Sequence, residues 1–303
     1  KFLIGGNWKN CKDFTTFQHL ILSKNYDKVV KNAKTLAKID VFVAVPNIWI
    51  GDAEKLLEFS LGIQDISACD ETVTGEVLAD MVRDKVSYAI IGHSERRTVL
   101  GESNEMIQKK VKYALSSGIR PILCIGENIQ QRQSDNFLHF LKNQLISSIP
   151  MGVERALLHQ INKNIDSVNE SEITDIGSNS ENICLSEDYQ ILSEVLNTHL
   201  SDSYLDTMEM HLELDIAYEP LWAIGKESAT LEQIEMVAQN IEEWMLKYNI
   251  RGRIIYGGAV TDENAEKILR IKNINGLLIG GASLDERFIN ILEIARTNSR
   301  DLK

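Results

Sequence analysis

Four polar residues stand where apolar runs of the sequence end, and together they could move a proton next to a carbonyl group. Glu219 lies at the end of such a run. It is either a solvated acid or a general base at the partly desolvated opening of a ligand site. His93 opens Ser94-Glu-Arg-Arg97, a predicted helix start, where the helix dipole disfavours the imidazolium and leaves a neutral donor; the alternative is a structural histidine. Asn7 and Lys9 follow the first apolar run, and Lys9 is a cation for a ligand or a solvated surface charge.

Two glycine pairs follow late apolar runs, in Tyr256-Gly-Gly-Ala-Val260 and Ile279-Gly-Gly-Ala-Ser-Leu284. Glycine lets the backbone approach an anion closely, and a helix that starts there adds free N–H groups and a positive dipole end. One such pair is typical of a tight turn, whereas two copies in neighbouring units favour a phosphate cradle. A base, a neutral electrophile, a cation and an anion cradle suit enolisation beside the carbonyl of a phosphorylated substrate.

Eight short apolar runs alternate with longer amphipathic ones, which predicts strands that a parallel sheet buries on both faces. An eight-unit β–α alternation favours one closed (β/α)8 TIM barrel, an α/β fold, over an open doubly wound sheet, which has no reason to stop at eight. The predicted strands are Phe2–Gly6, Val41–Pro46, Leu61–Gln64, Tyr88–Gly92, Ile122–Gly126, Leu212–Tyr218, Arg253–Tyr256 and Gly276–Ile279.

Helix signals lie between these strands. Thr230-Leu-Glu-Gln233 is a capping box, and the apolar residues after it repeat on one helix face. Thr261 is predicted to cap the next helix. The stretch Met106–Leu115 is predicted to be helical and to end before Gly118.

One unit of the barrel is much longer than the others. Gly126 and Glu219 are 93 positions apart, whereas Gly92 and Gly126 are 34 apart. We therefore expect a single domain over residues 1–303, with an acidic, Asn- and Ser-rich insertion at residues 151–211 between the fifth helix and the sixth strand. Residues 161–210 hold 11 acids and one base, so they carry most of the net charge of -12. Their front part is predicted to be a disordered loop, and residues 191–200 to form one short helix.

Composition excludes several classes of protein. With 44% hydrophobic and 25% charged residues, the chain matches a folded protein. No apolar run reaches the ~18 to 20 residues of a membrane helix, so we expect no membrane insertion, and an acidic chain without a basic stripe argues against nucleic-acid binding. The cysteines lack the spacing of a zinc site, which predicts no metal and a reducing compartment. They are Cys11, Cys69, Cys124 and Cys184.

Six motifs, in order along the chain, resemble the triosephosphate isomerase family. The resemblance runs from the first strand to the last helix and omits only the insertion. The motifs are Gly6-Asn-Trp-Lys9, Ile91-Gly-His-Ser-Glu-Arg-Arg97, Cys124-Ile-Gly-Glu127, Ala217-Tyr-Glu-Pro-Leu-Trp-Ala-Ile-Gly225, Tyr256-Gly-Gly258 and Gly280-Gly-Ala-Ser-Leu284.

The resemblance implies an enzyme of glycolysis and gluconeogenesis that interconverts dihydroxyacetone phosphate and glyceraldehyde 3-phosphate through an enediolate. It implies Glu219 as the base, neutral His93 as the electrophile, Lys9 as the positive charge beside substrate and enediolate, and Asn7 as a substrate-orienting group.

For the phosphate, the resemblance implies backbone N–H groups of Gly280, Gly281 and Ala259, and a lid over residues 220–230 that includes Gly225. It also implies a homodimer formed through the loop around Thr74. It implies neither a metal nor an organic cofactor.

Three departures from the family pattern bear on activity. Ala259 stands where the family has Ser, the lid is about one residue shorter and lacks its second glycine, and Asp65 replaces an Asn. The first two touch phosphate capture and lid closure, which predicts a weakened isomerase. The alternative is a catalytically impaired, isomerase-like binding or scaffold protein. That the four acid–base and charge positions are kept favours the enzyme.

The sequence starts at Lys1, without Met. The predicted compartment is the cytoplasm, with an organelle matrix such as that of a plastid as the alternative if a targeting segment preceded Lys1.

Overall fold

Eight parallel strands pair in a closed ring, which confirms the predicted (β/α)8 barrel and excludes the open sheet. The computed structural model describes residues 1–11, 15, 39–150, 211–225 and 228–299. Each strand pairs with the strand before and after it in sequence, and Leu3 opposite Gly276 joins the first strand to the last. The strands are β1 (Phe2–Asn7), β2 (Ile39–Val45), β3 (Ser60–Ile63), β4 (Tyr88–Ile91), β5 (Arg120–Ile125), β6 (Asp215–Tyr218), β7 (Ile254–Tyr256) and β8 (Gly276–Ile279).

Side chains from seven of the eight strands fill the barrel interior, with Phe42 of β2 as the largest of them. The Phe42 ring needs two glycines opposite it. A Cβ added at Gly5 would lie 2.3 Å from its Cε1, and one at Gly62 would lie 2.8 Å from its Cδ2. Tyr88 stacks on the same ring with centroids 4.7 Å apart. The interior is therefore a packed core, and ligands are restricted to its rim.

The described helices cover the outside of the ring between strands. They are α1 (Ile50–Leu56), α2 (Ala79–Val82), α3 (Ser94–Thr98), α4 (Asn104–Ser116), α5 (Ile129–Arg132), α6 (Phe137–Ile146), α7 (Leu231–Lys247), α8 (Ala265–Leu269) and α9 (Glu286–Asn298). Two 3-10 turns, Asn47–Trp49 and Gly281–Leu284, and a pair of two-residue strands, Leu212–Glu213 and Ile250–Arg251, complete the regular elements. Among these helices, none is long and apolar enough to cross a membrane.

The capping box at Thr230 is confirmed. Thr230 Oγ1 accepts from Gln233 N at 3.3 Å, and Gln233 Oε1 accepts from Thr230 N at 3.0 Å. The prediction for Thr261 is wrong, because α8 begins only at Ala265. Asn264 Oδ1 accepts from Thr261 N at 2.9 Å, which closes a turn before the helix.

The sixth predicted strand, Leu212–Tyr218, is divided in the structure, and only β6 enters the barrel. The predicted insertion at residues 151–211 lies outside the described residues apart from His211, and so does the helix predicted at residues 191–200. The insertion therefore stays a prediction.

Charged residues close the end of the barrel where the strands begin. Asp215, the first residue of β6, is fully buried and accepts from Arg120 Nε at 2.9 Å and from Arg253 Nη2 at 2.8 Å. Arg253 also donates to Asp40 Oδ2 at 2.7 Å. Burial would raise the pKa of Asp215, but hydrogen bonds from Arg253 and Arg120 outweigh it and hold that pKa below its ordinary value. The cluster ties the starts of β2, β5, β6 and β7 together.

We expect Asp215→Ala to lower the free energy of unfolding by about 3 to 5 kcal/mol, because Arg120 and Arg253 lose the buried carboxylate that they share. Each keeps only one partly exposed partner, Glu213 or Asp40. Urea unfolding at fixed protein concentration measures the loss. Glu266→Ala is the control, since its pair with Arg270 is solvent-exposed and such pairs contribute at most about 1 kcal/mol. Equal losses in the two variants would show that the Asp215 cluster contributes no more to stability than an exposed ion pair does.

Candidate active site

All the predicted site residues line one cavity of about 300 Å³ at the rim where the barrel strands end. The cavity wall includes the four polar side chains and the four backbone positions predicted for substrate binding. These residues are Asn7, Lys9, His93, Glu219, Gly225, Ala259, Gly280 and Gly281. The strand order explains this convergence, because parallel strands of a closed barrel end at the same rim.

The Glu219 carboxylate is buried and held in one orientation. Its Oε2 accepts from the backbone N–H of Ser94 at 3.0 Å, and its own backbone N–H donates to the Ile125 carbonyl at 2.8 Å. Two glycines make room for it. A Cβ added at Gly126 would lie 1.8 Å from the Glu219 carbonyl oxygen, and one at Gly257 would lie 2.9 Å from its Cγ. Glu219 is 2% exposed, so water competes little for its oxygens.

His93 caps α3, and this contact fixes its tautomer. The backbone N–H of Glu95 donates to His93 Nδ1 at 3.2 Å, so Nδ1 is the acceptor of the ring and Nε2 carries the proton of the neutral form. Nε2 lies 3.3 Å from Glu219 Oε1. Gly92, with φ of 69°, turns the chain between β4 and this cap. The predicted neutral donor therefore faces the predicted base.

Lys9 lies at the mouth of the cavity in a left-handed backbone conformation, with φ of 49°. Two contacts hold that conformation: Asn7 Oδ1 accepts from Lys9 N at 3.0 Å, and Gln64 Nε2 donates to the Lys9 carbonyl at 2.7 Å. The Lys9 ammonium pairs with Glu95 Oε1 at 2.5 Å, with both side chains partly exposed. Gln64 had no predicted role, and its position at the end of β3 is the signal that points to it.

The two glycine pairs differ in the structure. Gly281 opens the 3-10 turn Gly281–Leu284, and a Cβ added there would meet no atom within 4 Å. The pair at Gly257 and Gly258 leads into a turn, so the expectation that both pairs enter a helix directly is wrong for this one. Here Asn264 Nδ2 donates to the Ala259 carbonyl at 2.9 Å and holds the loop.

Glu127 contacts Trp222, which belongs to the segment that the resemblance predicts to be a lid, and Glu127 itself had no predicted role. Its Oε1 accepts from Trp222 Nε1 and from Tyr218 OH, each at 3.0 Å. Burial raises the pKa of Glu127, and the hydrogen bonds from Trp222 and Tyr218 offset part of that rise. Like Glu219, Glu127 follows an apolar strand, and this signal could have marked it.

Asp65, which stands where the family has Asn, belongs to a largely buried ionic cluster beside the site. Asp65 Oδ2 contacts Lys110 Nζ at 2.6 Å and Arg96 Nη2 at 2.8 Å. Both cations also contact Glu102 Oε1, at 2.5 and 2.6 Å. Burial raises the pKa of Asp65 to about 6, against the attraction of Lys110 and Arg96. The cluster links the end of β3 to α3, the helix that His93 caps.

Metal binding has no support from the described part of the chain, where no three His, Cys, Asp or Glu side chains group as ligands. Cys69 and Cys124 are free thiols, and Cys184 lies outside the described residues.

A closed eight-stranded barrel whose polar side chains gather at the carboxyl ends of the strands defines a protein of the (β/α)8-barrel class. A profile of the family described as Triosephosphate isomerase matches residues 2–160 and 153–295. This chain belongs to the triosephosphate isomerase family.

Individual relatives agree over nearly the whole length. Triosephosphate isomerase of Hahella chejuensis (strain KCTC 2396) is 31% identical over 306 residues, covering 97% of this chain and 98% of that protein. The protein of Coxiella burnetii (strain Dugway 5J108-111) is 30% identical over 300 residues, covering 95% of each. The Oryza sativa subsp. japonica protein named as cytosolic triosephosphate isomerase is 30% identical over 315 residues, covering 99% of this chain and 98% of that protein.

Asp65→Asn is expected to change how stability depends on pH. The pKa of Asp65 is about 6 in the folded protein, above its ordinary value of 3.8, so the folded state binds the proton more tightly than the unfolded chain does. The stabilisation that this proton provides is complete below the ordinary value and is lost as pH rises through the folded value. The stability of Asp65→Asn relative to the original protein should therefore rise from about pH 4 to about pH 7 and then level off.

Urea unfolding at a series of pH values measures this difference. Asp52→Asn, at an exposed position, controls for the loss of one negative charge from an acidic protein. If the relative stability of Asp65→Asn stays constant or falls as pH rises, the pKa of Asp65 is not raised in the folded protein. The ion pairs with Lys110 and Arg96 would then outweigh the effect of burial on that pKa.

Proposed function

We propose that this protein is an active isomerase that interconverts dihydroxyacetone phosphate and glyceraldehyde 3-phosphate. The observation that carries the proposal is the arrangement of Glu219 and His93. A buried carboxylate with a fixed orientation lies 3.3 Å from the proton-bearing nitrogen of a neutral imidazole, in a cavity open to ligands. Membership of the triosephosphate isomerase family supplies the substrate class.

In the proposed reaction, Glu219 removes a proton from the substrate carbon next to the carbonyl. The electron pair of the broken C–H bond forms the C=C bond of the enediolate, and negative charge moves to the carbonyl oxygen. The Nε2–H of His93 donates a hydrogen bond to that oxygen and stabilises the charge. His93 Nε2 then gives its proton to the charged oxygen and takes the proton of the neighbouring hydroxyl, whose oxygen becomes the new carbonyl oxygen. Glu219 returns its proton to the carbon that carried the original carbonyl, so that the hydroxyl and carbonyl groups have exchanged places.

Lys9 and Asn7 are proposed to hold the substrate oxygens beside this pair. The Lys9 ammonium lies at the mouth of the cavity, where a phosphate dianion enters, and its flexible stem allows it to exchange Glu95 for the substrate. Asn7 is buried at the end of β1 on the same wall. A positive charge here also favours the enediolate over the neutral ketone or aldehyde.

For the phosphate group, we propose backbone N–H donors from Gly280, Gly281, Ala259 and the lid at Gly225. These four positions border the cavity on the side of β7, β8 and the lid. Ala259 offers no hydroxyl, and the loss of one charge-assisted hydrogen bond to the phosphate weakens its binding by about 1.5 to 3 kcal/mol. The proposal therefore includes reduced activity.

We further propose a homodimer formed through the loops that follow β2, β3 and β4, including the loop around Thr74. These strands are neighbours in the ring, and each of the three loops exposes large apolar side chains. Contiguous apolar surface of this kind is typical of an interface. The exposed residues are Ile48, Val73, Met81, Val99 and Leu100.

The cytoplasm is the proposed compartment, with glycolysis and gluconeogenesis as the pathways that use such a reaction. One of the relatives is named as cytosolic, which supports this choice over an organelle matrix.

Glu219→Gln should reduce kcat/KM on the order of 10²- to 10⁴-fold, because the amide keeps the size of the side chain but removes the proton acceptor. A coupled assay with glyceraldehyde 3-phosphate measures the rate. Glu235→Gln makes the same chemical change at an exposed position of α7 and should keep the original rate. If the unaltered protein and Glu219→Gln show the same background rate, the proposal fails and the scaffold alternative takes its place.

Lysines at two exposed positions should dissociate the dimer. A large aliphatic side chain contributes about 1.5 to 3 kcal/mol when buried, so Ile48→Lys with Leu100→Lys should weaken dimerisation more than about a hundredfold. Sedimentation velocity measures the mass, which we expect at twice the 34.2 kDa of the chain before the change. Leu246→Lys alters a similarly exposed side chain on α7 and should remain dimeric. An unaltered protein of single-chain mass would contradict the dimer.

A further inference from the structure

The hydrogen bond between the lid and the barrel ends on a carboxylate that needs a counter-charge. Glu127 is fully buried, and its Oε1 already accepts from Trp222 and Tyr218. Its Oε2 is buried and has no hydrogen-bond partner among the described residues. An ionised carboxylate in such surroundings is costly unless a positive charge lies close to it.

Arg132 supplies that positive charge. Its Nη1 lies 3.6 Å from Glu127 Oε1, and its side chain is only 12% exposed. Arg132 ends α5, whose start is fixed by a reciprocal capping box between Asn128 and Gln131, each bond 2.8 Å long. The guanidinium is therefore presented from a rigid turn.

The same guanidinium also lies between two aromatic rings. It is 4.3 Å from the centroid of Phe137 and 5.8 Å from the centroid of Trp222. A planar cation between two ring faces gains from both, and an ammonium lacks the planar face that stacks. Arg132 thus touches both partners of the Trp222–Glu127 hydrogen bond.

We propose that Arg132 is a positioning residue for the lid, acting through Trp222 and Glu127 on the reaction proposed above. Its charge keeps Glu127 an acceptor for the Trp222 indole, and its flat face holds the Trp222 ring. Arg132 is not one of the residues that line the cavity. The direction of the pKa of Glu127, raised by burial, agrees with the need for this cation.

Two variants separate the charge of Arg132 from its planar face. Arg132→Met removes both and should lower kcat/KM on the order of tenfold, the scale of one desolvated cation–π contact. Arg132→Lys keeps the charge and should lose less. A lid residue that changes position affects kcat and KM together, so both constants are measured. Arg270→Met, which removes an exposed arginine of the α8 end, is the control and should change neither.

A second measurement does not depend on activity. With 5-fluorotryptophan at all four tryptophans, the fluorine spectrum has one signal for each, and Trp222→Phe assigns the lid signal. Arg132→Met should shift or broaden the Trp222 signal and leave those of Trp8, Trp49 and Trp244 in place. A Trp222 signal unchanged in Arg132→Met overturns the proposal, and so does an equal change in all four signals.

The two measurements also separate this proposal from the proposed function. An unaltered protein without isomerase activity, but with a Trp222 signal that responds to Arg132→Met, would refute the isomerase and leave the contact between Arg132 and the lid standing. Normal isomerase activity in Arg132→Met with an unchanged Trp222 signal would refute the role of Arg132 alone.

Discussion

The hydrogen bond from the Ser94 amide to the Glu219 carboxylate joins two strand ends that are 125 positions apart in the chain. It exists because β4 and β6 both pair in parallel with β5, so that they end at one rim with β5 between them. The same turn that presents the Ser94 amide also presents His93, whose ring is oriented by the next amide of α3. One helix start therefore fixes both the carboxylate and the imidazole, and the distance between them follows from the barrel geometry rather than from contacts between the two side chains.

Four largely buried carboxylates among the described residues have different environments. Arg120 and Arg253 donate hydrogen bonds to Asp215 and hold its pKa low. This cluster joins the starts of four barrel strands. Asp65 shares two cations with Glu102, so burial prevails and its pKa rises to about 6. Glu127 accepts hydrogen bonds from two neutral donors and faces one arginine. Glu219 accepts from the backbone amide of Ser94, and its second oxygen lies 3.3 Å from His93 Nε2 in the wall of the cavity.

Local patterns predicted the elements of this fold better than they predicted contacts. The capping box at Thr230 could be predicted because both of its partners lie within four residues. The strands could be predicted because burial on both faces leaves near-continuous apolar runs. Thr261 failed because a competing turn, closed by Asn264, uses the same residues. The ion cluster of Asp65 and the contact of Arg132 with Trp222 depend on residues 45 and 90 positions apart, whose meeting is set by strand register and not by composition.

Two of the three departures from the family pattern, Ala259 and the lid segment that continues from Gly225, concern the region of the cavity proposed for phosphate. The third, Asp65, lies in the ionic cluster and not in the cavity wall. The four polar side chains proposed to act on the substrate match the family motif: Asn7, Lys9, His93 and Glu219. Binding energy from a part of the substrate remote from the reacting carbons lowers the barrier of the reaction as well as KM. Loss of a phosphate contact is therefore expected to weaken both capture and turnover, while Glu219 and His93, which we propose to act at the carbonyl, stay in place. This is the physical ground for proposing a weakened isomerase and not an inert scaffold.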